Sequence, residues 1–596
     1  MPRSKRRGRS FRRKLRLSRL MPLLVLLGLL AVAMAFFARG VIATKADLSR
    51  SATSASALQQ AIAAGDKRAA KLSLSSLQAS AAAAHQHSKG PLWMVFSKLP
   101  FVGDDIGSVS IVADVLNDVA SRVMPPLVDI STQLDLNTFA PHKGKVDLKA
   151  LATLNDPVAQ ANIQLYNDNA KLAKINLAHL SGLVRGPVGD FKQKIGDAAE
   201  ATAITNNVLA LVPTMLGDKN RTYLIVFQNN AEARSTGGIS GSYLLAKVNK
   251  GRIKLSDQGS GGKLGRPKSA FKLTREEKEL YSTRLTQFFL DANLTPEFPR
   301  TAAIMQSIVK DQLGVQVDGV ISVDPIAMSY VLAGTGPVTV PDGTVLSSKN
   351  AVGQLLNKSY LRYANDFGAQ DQFFEDTAAK LFTTVTDGLG NTGQTIREMV
   401  RASKERRILV WSAHPKEQKK LDTMSVAATL TDDSSLRPTL GVYLNDSVGA
   451  KLQYYLHSST KVTSVQCQGF GAQTLNAEVT LRSTVPKNAS SLPFSILGAS
   501  QKDRPGVMRM NLRFYLPTGG ALLSARINST RLGDQTRPHK GHGVATVPVE
   551  LKPGQTLKVG IQFRTSPGQM RTINVTTTPG AQPGSHLSVE PSPCSN

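Results

Sequence analysis

The stretch that most constrains the fold of this chain is the block at residues 223–257, where short apolar runs alternate with polar and glycine-rich residues. Two apolar runs, at 223–227 and 239–248, predict strands, and an Asn-Lys-Gly turn leads into a third strand at 252–257. Between the first two runs lies a segment rich in amides, hydroxyls and glycines. We expect this segment to be a loop held by rigid strands, where polar side chains are free to meet a ligand.

The polar segment carries side chains that suit a phosphate-bearing or sugar-bearing ligand. Arginine offers a planar fork of donors, and amides offer neutral ones. The predicted ligand-binding residues are Gln228, Asn229, Asn230, Glu232, Arg234, Thr236, Gly237, Gly238, Ser242, Asn293 and Arg362. The alternative is a structural loop, in which the asparagines satisfy backbone groups and the glycines only turn the chain.

Two aspartates extend the candidate site towards catalysis. Arg234, Asp257 and Asp291 are the catalytic candidates, and Asp257 and Asp291 are the candidates for binding a metal. Mg²⁺ is the cofactor considered, because carboxylate oxygens suit hard cations. The alternative for Asp291 is an Asx-type turn ahead of a helix that begins near residue 300. The chain has no G-x-S-x-G, P-loop or HExxH motif, so the usual hydrolase, NTPase and zincin motifs are missing.

The N-terminus combines a basic head with an apolar run. Residues 1–19 carry ten Lys or Arg and no acid, and residues 20–38 are uncharged. A helix of that length spans about 28 Å, close to the hydrocarbon thickness of a bilayer. We expect a signal anchor that forms a single-pass transmembrane helix, with the N-terminus in the cytoplasm and the bulk of the chain outside it. A cleaved signal peptide is the alternative.

The charge balance narrows the class of partner. The formal net charge is +29, which in a soluble chain would suggest nucleic acid. For a chain expected outside the cytoplasm, the anionic partners are membrane lipid headgroups and anionic or polyprenyl-linked saccharides, and no nucleic acid is expected. The alternative is that the positive charge is spread over every surface of the protein and does not indicate a partner.

Composition divides the chain into segments of different periodicity. The predicted segments are a basic cytoplasmic head (1–19), a transmembrane helix (20–43), a helical stalk (44–217), an α/β domain (218–396), an antiparallel β-sandwich (397–577) and a disordered tail (578–596). The predicted fold class is therefore multidomain α+β. Cys467 and Cys594 lie in the expected exported part, where a disulfide and two free thiols are both open.

Three motifs carry a family resemblance. QNNAEARSTGGISGSY, FLDANLTPEFP and YLNDSVGAKLQYYL resemble a family of bacterial, largely actinobacterial, single-pass membrane surface proteins with a domain of unknown function. The resemblance runs over roughly residues 44–577 and brings no known activity with it.

The middle segment is also distantly similar to the LytR-CpsA-Psr phosphotransferases, which move lipid-linked glycopolymers onto peptidoglycan. Arg234, Ser235 and Thr236 match part of one motif of that family, and residues 362–372 match part of another. The match lacks an expected aspartate after Ser235 and several expected arginines. The resemblance therefore implies a LytR-CpsA-Psr-like α/β domain and leaves open whether it is an enzyme.

Together these observations predict a membrane-anchored, extracytoplasmic protein that binds an anionic cell-envelope glycan or a lipid-linked glycan. Its predicted role is in the assembly or export of an envelope polysaccharide. One alternative is an active metal-dependent phosphotransferase that attaches glycopolymer to the cell wall. The other is a non-enzymatic surface scaffold or adhesion protein.

Overall fold

The computed structural model describes residues 39–594, except 63, 134–139, 218, 269–270, 431–436, 502–503, 534 and 583–585. The chain forms two units, one of residues 1–134 and 152–209 and the other of residues 135–151 and 210–596. The predicted basic head and the apolar run at 20–38 lie outside the described residues.

Helices account for most of the chain before the first strand. The small side chains of Ala and Ser let helices pack closely, and Val115, Ala161, Leu165 and Leu172 form part of the apolar core of the first unit. These helices are α1 (residues 39–62), α2 (Lys67–His87), α3 (Pro91–Phe96), α4 (Gly103–Asp118), α5 (Met124–Gln133), α6 (Leu148–Ala152), α7 (Asn155–Ala173) and α8 (Gly182–Leu216).

No helix in the described part of the chain is both long and apolar enough to cross a membrane. This finding contradicts the predicted transmembrane helix at residues 20–43 and the predicted location as a single-pass membrane protein. The described end of the predicted span, residues 39–43, lies in α1, and this helix carries Arg39, Lys45, Asp47 and Arg50. These charges make α1 too polar to cross a membrane.

A five-stranded mixed sheet with the strand order β3-β2-β1-β4-β7 forms the centre of the predicted α/β domain. The first seven strands are β1 (Arg221–Arg234), β2 (Gly237–Asn249), β3 (Arg252–Ser260), β4 (Gly319–Val323), β5 (Val338–Thr339), β6 (Val345–Leu346) and β7 (Ile408–Ser412). β1 pairs with β4 in parallel, and the other pairs of this sheet are antiparallel. β5 and β6 form a separate hairpin.

Two predictions for this sheet are wrong. The run that contains β7 was assigned to the sandwich, but β7 pairs with β4 at the sheet edge. The polar segment was predicted to be a loop, but β1 continues through it to Arg234. The pairing of β1 with β2 changes register after Phe227 and again between Asn229 and Ala233. Such bulges place extra residues on one strand and redirect their side chains.

Helices cover both faces of the sheet. Leu224 and Val226 pack on the side of α11, whereas Phe227 and Val323 pack on the side of α12 and α15. The helices of this part are α9 (Arg275–Tyr281), α10 (Arg284–Gln287), α11 (Phe298–Leu313), α12 (Pro325–Thr335), α13 (Ala351–Gly353), α14 (Ser359–Arg362), α15 (Phe367–Thr386), α16 (Thr392–Lys404) and α17 (Pro415–Leu421). A last helix, α18 (Phe494–Leu497), packs instead in the core of the C-terminal strands. Asp366 caps α15 by accepting the N–H of Ala369 at 2.8 Å, which satisfies one of the unpaired donors at the helix start.

The C-terminal strands form two sheets that share one apolar core. The strands are β8 (Thr439–Asp446), β9 (Leu456–Gln468), β10 (Ala472–Ser483), β11 (Met508–Tyr515), β12 (Ala521–Ile527), β13 (Thr530–Leu532), β14 (Arg537–His539), β15 (His542–Leu551), β16 (Thr556–Arg564), β17 (Asn574–Thr577) and β18 (His586–Val589). Their orders are β13-β12-β16-β10-β9-β18 and β14-β15-β11-β8-β17. The sandwich is antiparallel except at two edges, where β17 runs parallel to β8 and β18 parallel to β9.

The C-terminal tail, predicted to be disordered from residue 578, is attached to the sandwich. β18 extends the six-stranded sheet, and Cys467 forms a disulfide with Cys594. Sequence alone had left open the choice between a disulfide and two free thiols. The bond closes a loop with a sequence separation of 127 residues, so it restricts the unfolded chain strongly.

Replacing Cys467 with alanine should lower the free energy of unfolding by roughly 2–5 kcal/mol, because the unfolded chain regains the entropy that the crosslink removes. Urea denaturation checks this value. Dithiothreitol should destabilise the wild type by a similar amount and leave the variant unchanged. Equal stability of oxidised wild type and variant would show that the bond does not contribute.

Candidate functional site

Arg234, the predicted anion-binding side chain, is buried and already paired. It is 2% exposed, and its Nη2 lies 3.0 Å from Glu232 Oε1 and 2.9 Å from Asp291 Oδ1. Arg284 pairs with the other oxygen of Asp291 at 3.1 Å. A buried arginine that meets two carboxylates has its charge compensated within the protein. Arg234 therefore acts as a structural link between β1 and the segment around residue 291.

Two further charged residues are Asp446, at the end of β8, and Lys451, in the segment that follows it. Lys451 Nζ lies 3.2 Å from Glu232 Oε2. The carboxylate of Asp446 accepts the N–H groups of Val448 and Ala450, at 2.9 and 3.2 Å. The three sequence motifs of the family resemblance thus meet in one buried polar cluster, made by Glu232, Arg234, Asp291, Asp446 and Lys451.

The pKa values of two carboxylates in this cluster shift in opposite directions. Burial and the charge of Glu232 raise the pKa of Asp446 from 3.8 to about 6. Burial acts on Glu232 as well, but the charges of Lys451 and Arg234 outweigh it and lower the pKa of Glu232. The difference follows from contact, because Glu232 touches both cations directly whereas Asp446 is held by neutral N–H donors.

Several other predicted residues form a hydrogen-bonded core beneath the end of β1. Gln228 Nε2 donates to Ser322 Oγ at 2.6 Å, and Asn293 Nδ2 donates to Thr236 Oγ1 at 3.1 Å. The backbones of β1 and β2 also lie unusually close together here. A Cβ on Gly238 would lie 2.1 Å from the carbonyl oxygen of Asn229, so only glycine fits. Gly237, with φ of 142°, makes the turn that begins β2.

Asn230 is held by the far end of the chain. It is 1% exposed, and its Nδ2 donates to Asp324 Oδ2 at 3.0 Å and to the carbonyl of Pro579 at 2.9 Å. Arg407 also contacts Asp324, at 2.7 Å, and donates to the carbonyl of Gly580 at 3.1 Å. These bonds occupy the amide of Asn230, which leaves its Nδ2 no role towards a ligand.

The remaining candidates lie apart from this cluster. Asp257 is exposed on edge strand β3, where it accepts the N–H of Gln258 at 2.9 Å. Arg362 pairs with Asp342 at 2.8 Å. Asp257 and Asp291 are not brought together, and the described residues contain no group of three or more His, Cys, Asp or Glu side chains placed to hold a metal ion.

A cavity of about 300 Å³ opens beside β1. Of the predicted ligand-binding residues, Gln228, Asn229 and Ser242 line it, whereas the other eight do not. Asn229 Nδ2 donates to the hydroxyl of Tyr360, which forms part of the wall. The structure therefore brings three of the predicted residues together at one cavity and places the other eight outside its lining.

The cavity also has residues that were not predicted. Lys263 and Lys451 lie in its lining, together with the apolar side chains of Phe227, Met328 and Phe374. Lys451 sits over the ring of Tyr360, 5.2 Å from its centroid, a distance at which an ammonium group is attracted to an aromatic face.

Comparison with known families identifies one part of this arrangement. Residues 218–360 match the family model described as "Protein of unknown function (DUF4012)". The chain contains a DUF4012 domain. The predicted resemblance to proteins with a domain of unknown function is confirmed at this level, although the match is shorter than the predicted range of 44–577. Curated proteins and solved structures give no significant match.

The DUF4012 domain supplies only part of the cavity. The match includes β1, β2 and α12 but ends at Tyr360. α15 and Lys451, which complete the lining, lie outside it. The sequence signal for α15 was available: residues 370, 371, 374, 377 and 378 are spaced to share one face of a helix, and polar residues recur on that otherwise apolar face.

Replacing Arg234 with methionine should lower the free energy of unfolding by roughly 3–5 kcal/mol, because Glu232 and Asp291 would each lose a buried partner. Urea denaturation checks this loss. Arg526→Met is the matched control, since Arg526 pairs with Glu478 but its side chain is 58% exposed. That change should cost less than about 0.5 kcal/mol. An Arg234 variant as stable as the wild type would exclude the structural role.

The pKa of Asp446 predicts how stability depends on pH. The folded-state pKa of about 6 exceeds the unfolded value of 3.8, so the folded protein holds this proton more tightly than the unfolded chain does. Binding of the proton therefore stabilises the fold. The stabilisation is complete below about pH 4 and is lost as the pH rises through 6. When the pH is lowered from 7 to 4.5, the free energy of unfolding of the wild type should therefore rise by about 2 kcal/mol relative to that of Asp446→Asn. Urea denaturation of both proteins across this range measures the gain, and parallel pH profiles would refute it.

Proposed function

We propose that the protein binds a small anionic glycan, either free or linked to a lipid, in the cavity between its DUF4012 domain and α15, and that it does so without converting the ligand. The cavity of about 300 Å³, which combines apolar side chains with two lysines, is the observation that supports this function. Concave sites of roughly 300–1,000 Å³ with a few polar groups are typical of small-molecule binding. A volume at the lower end suits one sugar unit with its substituent.

The two lysines differ in how available they are. Lys451 donates one hydrogen bond to Glu232, and an ammonium group has three donors, so two remain for a ligand. Lys263 lies 3.3 Å from Glu375 and 3.6 Å from Asp371, and its side chain is 66% exposed. Exposed pairs of this kind contribute only about 0–1 kcal/mol. An anionic ligand therefore displaces a carboxylate from Lys263 at little cost.

Binding without turnover fits the position of the former catalytic candidates. Phosphoryl transfer needs cations that neutralise charge as it migrates. Arg234 directs its guanidinium at Glu232 and Asp291 and is not part of the cavity lining. Asp257 is exposed on an edge strand. The side chains at the cavity are therefore better suited to holding an anion than to transferring it.

We further propose that the protein is distantly related to the LytR-CpsA-Psr phosphotransferases and has an actinobacterial source. The sequence motifs support both points. Such a domain would bind the same class of ligand as those enzymes but would lack the arginines with which they neutralise the transferred phosphate. It would take part in the assembly or export of a polysaccharide by binding its building unit.

Isothermal titration of the full-length chain with glucose 1-phosphate, farnesyl phosphate and glucose tests the function. We expect at least one of the two phosphates to bind. Lys263→Met should lower the affinity for that phosphate roughly tenfold or more, because a hydrogen bond to a charged group contributes about 1.5–3 kcal/mol. The same substitution should leave any binding of glucose unchanged.

Lys558→Met is the matched control for this experiment, since Lys558 is also an exposed lysine paired with a carboxylate, Glu478, at 2.8 Å. Its replacement should not alter binding. A response to glucose 1-phosphate alone would assign the anion to a free sugar phosphate, and a response to farnesyl phosphate alone would assign it to a lipid phosphate. If neither phosphate binds, the proposed function is wrong.

A further inference from the structure

One wall of the cavity carries buried polar atoms that the protein leaves unsatisfied. α15 contributes Gln370, Asp371, Phe374, Thr377 and Ala378 to the lining. Nε2 of Gln370 and Oγ1 of Thr377 have no hydrogen-bond partner among the described residues, although their side chains are only 8% and 2% exposed. A buried polar atom without a partner destabilises a protein unless something else satisfies it. Two such atoms on one helix face, both bordering a cavity, point to a ligand.

The spacing of these two residues limits the size of the group between them. Seven residues of α-helix separate Gln370 from Thr377, which corresponds to about 10 Å along the axis. A six-membered sugar ring with a hydrogen bond of about 2.9 Å at each of two opposite edges spans a comparable length.

The surface between the two polar atoms is aromatic. Phe374 lies one helical turn from each of them, and its ring is tilted against that of Tyr360 with centroids 5.3 Å apart. The electron-rich face of an aromatic ring attracts groups that carry a partial positive charge, and the C–H groups on the flat side of a sugar ring are of this kind. Lys451 stands over Tyr360, so a cation lies beside the same pair of rings.

We propose that this wall is a subsite for a single pyranose ring, which stacks on Phe374 while Gln370 and Thr377 bind oxygen atoms on its opposite edges. The inference rests on the proposed function and assigns the sugar part of the ligand to α15. Gln370 donates from Nε2, so it requires an acceptor oxygen. The hydroxyl of Thr377 both donates and accepts, which suits a sugar hydroxyl. The anionic substituent then meets Lys263 or Lys451.

Gln370→Met and Thr377→Val test the subsite, because they keep the shape of each side chain and remove its hydrogen bond. In calorimetric titration, each substitution should lower the affinity for glucose 1-phosphate roughly three- to tenfold, the factor that corresponds to one hydrogen bond. Neither should affect glycerol 3-phosphate, which has the anion but no ring. The melting temperature of the free protein should stay the same or rise, since an unsatisfied polar atom is replaced by an apolar one.

Gln372→Met and Thr383→Val are matched controls, because both residues lie on α15 but are exposed. They should leave affinity unchanged. Variants of Gln370 and Thr377 that bind like the wild type, or that lose affinity together with a lower melting temperature, would overturn the subsite while the effect of Lys263→Met upholds the proposed function. Binding of farnesyl phosphate without glucose 1-phosphate would also overturn the subsite alone. Failure of both phosphates overturns both proposals.

Discussion

The cost of burying charge determines how the centre of the second unit is built. Arg234 is almost completely removed from solvent, and a buried guanidinium is tolerated only where carboxylates compensate it. Glu232 and Asp291 do so directly, and Lys451 and Arg284 balance the remaining charge of those carboxylates. Because these residues come from three separated parts of the chain, the sheet cannot satisfy its charges without the sandwich. This dependence explains why both belong to one unit.

The same pairing keeps Arg234 out of the cavity, whose lining includes Gln228 and Asn229 of the same strand. The register shifts in β1 lie between these residues and Arg234, and such bulges redirect the side chains that follow them. One strand therefore supplies both the buried charged cluster and part of the cavity wall.

Local patterns in the sequence predicted much of the fold. The strands β1 to β3 and the helix α11 follow patterns that depend on neighbouring residues only. The errors have non-local causes. β7 reads as a sandwich strand, but its partner, β4, lies about ninety residues earlier, and only that pairing decides its sheet. The polar segment reads as a loop, since composition does not reveal that Asn445 and Asn293 will cover it.

The candidate site was predictable to a smaller extent. Gln228, Asn229 and Ser242, which line the cavity, were among the predicted residues because polar side chains follow an apolar run in this part of the sequence. Gln370 and Thr377 were missed, because whether a buried amide or hydroxyl has a partner depends on the tertiary structure and not on the residue type. Lys263 stood in a basic loop whose sequence gave no reason to prefer one of its cations.

The bond between Asn230 and Pro579 joins residues 349 positions apart, and Thr578 adds a hydrogen bond to the carbonyl of Ser235 at 3.1 Å. The polar interior of the DUF4012 domain is therefore completed by residues that lie more than two hundred positions beyond the end of that domain. During synthesis, several of its buried groups stay unmatched until those residues have emerged from the ribosome. A chain that stopped before residue 578 would lack the contacts that complete this interior.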